Sequence, residues 1–440
     1  MLAKKKDAFG LSKLNGRDRG IDSNFLSVNL EDVPNYSIRP IGARENIYDL
    51  ENFSYIEKYS GAISSKSGVG VGNKGGVVNL KFSPISDKFS TNFSVSGGSD
   101  NFYKAFLRVD TPIDESNKIF ISTSQSNSSK WKRYGDLGEQ NNIAVGFQND
   151  KQKLDSYFIH NTQTSHSFKG LSHKESLDLS KNYKLDYQNT DNTKANFYDY
   201  WKEDNSYDEF QIGKGFDCFN SDCKAKFYAS KTLEIAHEGD GRATVDGKRV
   251  GVILSNTMQL NQFDIESGLW GELSWLDKYV QKVSTTPQRT DQGWKWLNEN
   301  DGASSVISPY ISSSYMSEYF KFEGGLKYVR YLEAGNRLFE NSNKFSNFND
   351  AINHGKVVAG GVIDDTTYNI LLPSFGIRYT LDFSTELFFK YSKTFQRPYR
   401  YSFFAQYSAN KNGIQDNILN SGKTLNDIFK SWDIRDIKHV

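Results

Sequence analysis

Few residues in this chain stand at the spacings that chemistry requires. Three of the six histidines, His160, His166 and His173, cluster in one stretch. Imidazole nitrogens ligate iron, so the three could hold a haem iron. The Asn, Ser and Lys around them favour a plain surface loop. The cysteines are Cys218 and Cys223, in Asp217-Cys218-Phe219-Asn220-Ser221-Asp222-Cys223, with four residues between them. In an oxidising compartment they would close a small loop; otherwise they are free thiols. A zinc site would need a second Cys or His pair at matching spacing, and there is none. Gly68-Val69-Gly70-Val71-Gly72 is not the Gly-x-Gly-x-x-Gly phosphate cradle, and no βαβ unit frames it. No Ser/His/Asp, metal-hydrolase or phosphate-loop constellation is present. The expectation is a protein that is not an enzyme and carries no resident cofactor or metal.

Composition bounds what else the chain can be. Its 54 basic and 53 acidic residues leave a net charge of +1, with no basic or acidic tail, so nothing points to nucleic acid. Mean hydropathy is polar, yet 14% of the chain is aromatic, with 25 Tyr and 31 Phe, while Pro (8) and Met (3) are scarce. That combination suits a large soluble β protein or a membrane barrel whose strands alternate apolar and polar residues between aromatic girdles. No run reaches the roughly 18 apolar residues of a membrane helix, which leaves a barrel open. Met1-Leu2-Ala3-Lys4-Lys5-Lys6-Asp7 has no apolar segment after its lysines and does not read as a signal peptide.

Two regimes follow along the chain. Residues 1–84 are Gly-rich with short, broken apolar runs. From about residue 88, β-rich segments of about 9–11 residues repeat between polar stretches, the length a tilted membrane strand needs. Phe89 to Ser96 alternates large and small, Gly97-Gly98-Ser99-Asp100-Asn101 makes a turn, and Phe102 to Asp110 returns; Lys118 to Gln125 continues the meander. Further strands are expected near 141–148, 152–159, 193–202, 224–235, 265–276, 304–315, 318–331, 372–381 and 384–395. Long loops are expected at 160–192, 203–223, 277–303 and 332–371, against tight turns such as Gln148-Asn149-Asp150-Lys151. In the last strand Leu387, Phe389 and Tyr391 share one face and Glu386, Lys390 and Ser392 the other, with Phe388 the exception.

A resemblance joins these pieces. Ile56-Glu57-Lys58-Tyr59-Ser60-Gly61-Ala62, followed by Gly68-Val69-Gly70-Val71-Gly72-Asn73-Lys74-Gly75-Gly76-Val77-Val78-Asn79-Leu80, resembles the end of the plug domain of TonB-dependent outer-membrane receptors. Arg17-Asp18-Arg19-Gly20-Ile21-Asp22 resembles the family's Arg-Gly-aromatic segment, and Leu30-Glu31-Asp32-Val33-Pro34 stands where the family has Asp-Gly-Val-Pro. Leu371 to Tyr379 looks like a barrel strand of the family, and Phe395-Gln396-Arg397-Pro398 like the turn after the next strand. The motif residues are therefore Arg19, Gly20, Glu57, Gly61, Gly75, Gly76 and Asn79. Ser60 and Ala62 depart from the family's Arg and Pro, which puts a plug-to-barrel ion pair in doubt.

The resemblance implies a mainly β fold. Residues 1–84 would be the C-terminal part of a plug, and residues 85–440 the N-terminal part of an incomplete antiparallel transmembrane β-barrel. Roughly 12–14 strands are expected, against about 22 in a complete plugged transporter. It also implies a place in the cell outer membrane, a ferric siderophore or haem as ligand, and the TonB–ExbB–ExbD system as the energy source. Tyr36, Arg39, Arg44 and Tyr48 lie in the plug segment that would face outward, and suit an anionic, aromatic ligand through charge and cation–π contact. Cys218 and Cys223 would staple a long loop. No TonB box and no closing aromatic strand are seen, so the expectation is a receptor truncated at both ends, inactive alone. A passive porin or surface barrel is the alternative; the plug-like segment argues against it.

Overall fold

The computed structural model describes residues 2–4, 11, 15–18, 21–22, 27–35, 49–59, 76–218, 221–340, 345, 347–382, 384–395, 424 and 426–427. Strands β1 (Leu2–Lys4), β2 (Asn15–Asp18) and β3 (Ile21–Asp22) form a small antiparallel sheet. A second sheet holds β4 (Ser27–Leu30), β5 (Val33–Pro34), β6 (Phe53–Tyr59) and β7 (Val77–Phe82), in the order β5-β4-β7-β6. β4 runs parallel to β7, and the other neighbours are antiparallel. The β4–β5 hairpin turns on two residues, Glu31 (φ 51°) and Asp32 (φ 68°), the left-handed pair of a type I′ turn.

From Ser90 the chain becomes one antiparallel meander. Its strands are β8 (Ser90–Gly97), β9 (Tyr103–Pro112), β10 (Asn117–Asn127), β11 (Gln140–Asn149) and β12 (Leu154–His166). Four long strands follow: β13 (Lys202–Cys218), β14 (Ser221–Glu238), β15 (Gly241–Leu260) and β16 (Phe263–Val283). Next come β17 (Asp291–Asp301), β18 (Ser304–Met316), β19 (Phe320–Glu333), β20 (Gly335–Phe339), β21 (Val357–Ile363), β22 (Thr366–Thr380) and β23 (Glu386–Ser392). These make a 16-stranded sheet; β17, β20 and β21 branch off it, leaving thirteen strands in the main path from β8 to β23. Among the described residues the path does not close on itself, and β8 and β23 are its two ends.

In a meander, alternate connections fall at opposite ends. One end carries short links only, at 113–116, 150–153, 261–262, 317–319 and 381–385, together with the Cys218–Ser221 junction. The other carries 128–139, 167–201, 284–303 and 334–365, beside tight turns at 98–102 and 239–240. Short turns on one side and long loops on the other is the layout of an outer-membrane barrel.

Several expected boundaries move. The 203–223 stretch is not a loop: β13 and the start of β14 pair from Glu203↔Ala236 to Cys218↔Ser221. The 193–202 stretch is not a strand but the end of the 167–201 loop, where Phe197 packs edge-on to Tyr200 at 5.2 Å. The 160–192 loop begins only after β12 ends at His166, so His160 and His166 lie in a strand, and His173 opens α1 (His173–Ser176). The 277–303 and 332–371 stretches contain β16's end, β17, β20, β21 and α2 (Phe348–His354). The Cys218–Cys223 disulfide, with Cα atoms 5.9 Å apart, therefore sits at the short-turn end and staples no long loop. β13 to β16 run 17, 18, 20 and 21 residues, well beyond what a membrane crossing needs.

The two faces of the meander differ sharply. Partners in register on successive strands put Ile121, Val145, Phe158, Phe210, Ala229, Val250 and Leu273 in one apolar row. Four of them are large and solvent-exposed: Ile121, Phe158, Phe210 and Leu273. Towards the short turns the same face carries an aromatic cluster: Phe263–Tyr315 at 5.1 Å, Phe320–Phe322 at 5.8 Å and Phe320–Tyr379 at 4.6 Å between ring centres. On β16 this face runs from Phe263 through Ile265, Leu269 and Leu273 to Trp275. At about 3.3 Å rise per residue and about 40° tilt, that column is about 30 Å tall, the thickness of a hydrocarbon core.

Candidate functional site

The opposite, inner face is polar and buried, and the four-stranded sheet lies against it. Its attachment point is the β4–β5 hairpin. Val33 is fully buried in an apolar cluster with Tyr228, Ile253, Trp270, Val306 and Tyr331 of the wall. Next to it, Asn35 Nδ2 donates to the Tyr207 hydroxyl at 2.7 Å and to Glu209 Oε2 at 2.8 Å. Three wall side chains reach the hairpin's backbone carbonyls. Gln211 Nε2 donates to Leu30 O at 3.2 Å, Lys226 Nζ to Glu31 O, and Arg249 Nη1 to Pro34 O.

Arg249 is held between two buried carboxylates, Glu209 at 3.4 Å and Glu272 at 3.8 Å. Tyr228 donates its hydroxyl proton to Glu272, and the Trp270 indole N–H donates to Tyr228 at 2.9 Å. Buried charge is tolerated only when paired and hydrogen-bonded, and this network satisfies both conditions. These residues come from β13, β14, β15 and β16, where they alternate with the apolar row of the outer face.

A second attachment lies at β9. Lys104 Nζ bonds Asp49 at 2.8 Å and Glu51 at 2.6 Å. Arg108, buried over the Phe120 ring, donates to Asn52 O at 3.3 Å and Ser83 O at 2.9 Å. Burial, with Glu51 beside it, pushes the Asp49 carboxyl up to about 6. Burial works the same way on Glu51, but the bonds from Asp49 and Lys104 outweigh it and bring it down to about 2.

The sheet itself is tied by Asn79. Its Nδ2 donates to Glu57 Oε2 at 2.8 Å and Asp32 Oδ1 at 2.7 Å, while its Oδ1 accepts from Asp32 N at 3.1 Å. Lys81 adds an ion pair to Asp32 at 2.7 Å. Burial opposes ionisation of Asp32, but Lys81 and Lys226 win and hold it below the usual carboxylate range. Burial dominates at Glu31 and raises it. Gly76 sits at φ +113°, where a side chain would be strained, and its carbonyl accepts from Ser27 N at 3.1 Å. Between Asp32, Glu57, Asn79 and the wall residues Lys224, Lys226, Glu266 and Tyr310 lies a polar cavity of about 230 Å³.

Of the residues singled out in the sequence, the structure joins Glu57 to Asn79 and places Gly76 beside them. Arg19, Gly20, Gly61 and Gly75 lie outside the described residues, as do the ligand candidates Tyr36, Arg39, Arg44 and Tyr48. The histidines do not share a site. His160 faces outward and pairs with Asp208 at 2.7 Å, whereas His166 Nδ1 accepts from Asp136 N at 3.0 Å and its Nε2 lies 3.2 Å from Asp199. Among the described residues no group of three or more His, Cys, Asp or Glu is gathered as a metal site. Sequence reasoning missed Asn35, Tyr207, Glu209 and Arg249. The signal was available in β13, where Tyr207, Glu209 and Gln211 recur with period two opposite Phe210 and Ile212.

At the long-loop end, Lys130 and Asp186 form an ion pair of 2.6 Å with both side chains buried, joining the 128–139 and 167–201 loops. Lys130 also donates to Ser167 O at 2.7 Å and lies 5.0 Å from the centre of the Phe168 ring. Burial lowers its ammonium below the usual lysine range.

A wall with an apolar outer face and a polar inner face occupied by a small sheet is the arrangement of a plugged barrel, here open between β8 and β23 among the described residues. Comparison with solved structures gives that architecture a particular form. The chain superposes on the ferric citrate transporter FecA with a TM-score of 0.68 at 15% identity, over 93% of this chain and 60% of that one. For the ferric-catecholate import receptor Fiu from E. coli K12 the TM-score is 0.62 at 13% identity, over 89% and 65%. For the pyoverdine outer membrane receptor FpvA from Pseudomonas aeruginosa it is 0.61 at 13% identity, over 88% and 57%. The fold is that of the TonB-dependent receptors, and the chain spans roughly three fifths of the length of these three. No protein-family model and no curated protein sequence matches it.

Proposed function

We propose that this chain is the plug and wall of an outer-membrane receptor for energised uptake of an iron complex, a ferric siderophore or haem, driven by the TonB–ExbB–ExbD system. Residues 1–84 are assigned to the plug and 85–440 to the barrel. The observation that carries the proposal is the seating of Val33-Pro34-Asn35 on the inner face of the wall. A passive porin needs no sheet across its lumen, whereas a receptor must block diffusion until its cargo is bound. The names of the structural neighbours, which concern ferric citrate, ferric catecholate and pyoverdine, support an iron complex as cargo. Tyr36, Arg39, Arg44 and Tyr48 follow directly on the anchored Asn35 and are the proposed contacts to an anionic, aromatic chelate.

The test is uptake of radiolabelled ferric complexes by native cells with the gene intact or deleted, each with and without TonB. Uptake lost on deleting either supports the proposal. Gene-dependent uptake that persists without TonB overturns it and favours a passive barrel.

A further inference from the structure

Three inward glycines of the wall have an aromatic residue as direct register partner on a neighbouring strand: Gly146 with Phe120, Gly251 with Tyr228 and Gly268 with Tyr310. In each pair the ring fills the space that the glycine leaves. A β-carbon at Gly146 would overlap the Phe120 ring, one at Gly251 would overlap the Tyr228 ring, and one at Gly268 would lie 2.5 Å from Tyr310. Glycines on the outer face differ: Gly324 has open space beside it, and Gly271 has nothing nearer than Val252, at 3.7 Å. All three rings lie where the four-stranded sheet meets the wall. Phe120 is fully buried with Leu30, Leu80 and Phe82, its ring centre 5.5 Å from that of Phe82. Tyr228 is fully buried in the Val33 cluster, and Tyr310 lines the polar cavity with Asp32 and Asn79.

We propose that Gly146, Gly251 and Gly268 are positioning residues that set the depth of the plug seat. Side chains on a sheet stand roughly perpendicular to it, and packed sheets lie roughly 10 Å apart. An upright Phe or Tyr would take up much of that gap and hold the four-stranded sheet off the wall. Seated on a glycine, the same ring still buries its area and leaves the sheet room to approach. The anchoring bonds need that approach: Gln211, Lys226 and Arg249 must reach the carbonyls of Leu30, Glu31 and Pro34, and Arg108 those of Asn52 and Ser83. A methyl group at any of the three glycines evicts the ring. The wall backbone closes off one side, so the ring moves towards the plug. The inference rests on reading residues 1–84 as a plug and is independent of the cargo.

The test is hydrogen exchange of the full chain in lipid nanodiscs. Gly146→Ala should speed exchange in β4 and β7 about tenfold, the size of a mild overpacking cost, while β10 and β11 hold. In a Phe120→Leu background the same substitution should add little, because the ring it displaces is gone. Gly251→Ala repeats the test at the hairpin: exchange at residues 30–35 should rise while β14 and β15 hold, so the seat is probed even where one variant fails to fold. Gly324→Ala, on the open outer face, should change nothing. Unchanged exchange in β4, β7 and residues 30–35 in both inner variants overturns the proposal. So does a rise in β10, β11, β14 and β15 as large as that in the plug, which would mark the glycines as packing elements of the wall alone. The readout needs neither cargo nor TonB, so TonB-independent uptake would overturn the receptor reading and leave the seat standing.

Discussion

The two faces of the β13–β16 wall are built from the same strands, one residue out of step. Inward stand Glu209, Gln211, Lys226, Tyr228, Arg249 and Glu272; outward stand Phe210, Ile212, Phe227, Ala229, Val250 and Leu273. In a soluble protein the apolar face would be the buried one. Here charges are buried and large hydrophobic side chains are exposed, which is stable only if the outer solvent is lipid and the inner face is covered by protein. The difference teaches that register, more than composition, carries the fold: a slip of one residue would put Arg249 in lipid and Leu273 against the plug.

Mutations can break this comparison from either side. The largest effect is expected from Arg249→Ala, which leaves Glu209 and Glu272 buried together and removes the bond to Pro34 O; about 3–5 kcal/mol should be lost. Denaturant unfolding in nanodiscs, read by tryptophan fluorescence, measures it. On the other face Leu273→Arg should cost about 2–4 kcal/mol in lipid. The same substitution in detergent micelles should cost clearly less, and equal losses in both media would undo the lipid assignment. Val33→Ala removes two methyl groups from the wall cluster and should cost about 1.5 kcal/mol. Its distinguishing readout is faster proteolysis of residues 27–35 with the wall unaffected.

The smallest effect is a pH dependence at the β9 attachment. Asp49, raised to about 6 from 3.8, favours the folded contact when protonated, so its contribution is lost as pH rises from about 4 through 6. Glu51, lowered to about 2 from 4.5, contributes above about 4.5 and loses that contribution as pH falls towards 2. Together they predict a contact most stable near pH 4. Hydrogen exchange of residues 49–59 across pH should show that optimum, and Asp49→Asn should abolish the decline on its alkaline side while keeping the acid one.

Much of this was legible in the residues, for physical reasons that also explain the failures. Strand β23 forms where its sequence pattern places it, but as an end strand it leaves both faces open, with Phe388 exposed on one and Leu387, Phe389 and Tyr391 on the other. Glu57 and Asn79 were named from the sequence as separate motif residues, and their hydrogen bond emerges only with the fold. β13 and β15 were not legible, because their inward positions serve the plug and mix Tyr207, Glu209, Arg249 and Ile253, which masks a simple apolar–polar alternation. Residues 193–202 misled in the opposite direction. Their aromatics look like strand residues, yet Trp201 stacks on Tyr187 at 4.6 Å within a loop. The anchor escaped because Asn35 and Arg249 lie more than 200 residues apart and meet only through the fold.

The hairpin is gripped largely through its main chain. Gln211, Lys226 and Arg249 take the carbonyls of Leu30, Glu31 and Pro34, groups that every amino acid presents alike. The wall thus recognises a backbone path, and the burden of information is unequal across the contact. A saturation library over residues 30–34 should tolerate most replacements at Pro34, with buried Leu30 and Val33 and the Asn79- and Lys81-bonded Asp32 the restrictive positions. The same library over Gln211, Lys226 and Arg249 should tolerate few. Wall and hairpin can therefore diversify at different rates wherever the contact is to the main chain alone, while Leu30, Asp32, Val33 and Asn35 are held by their side chains.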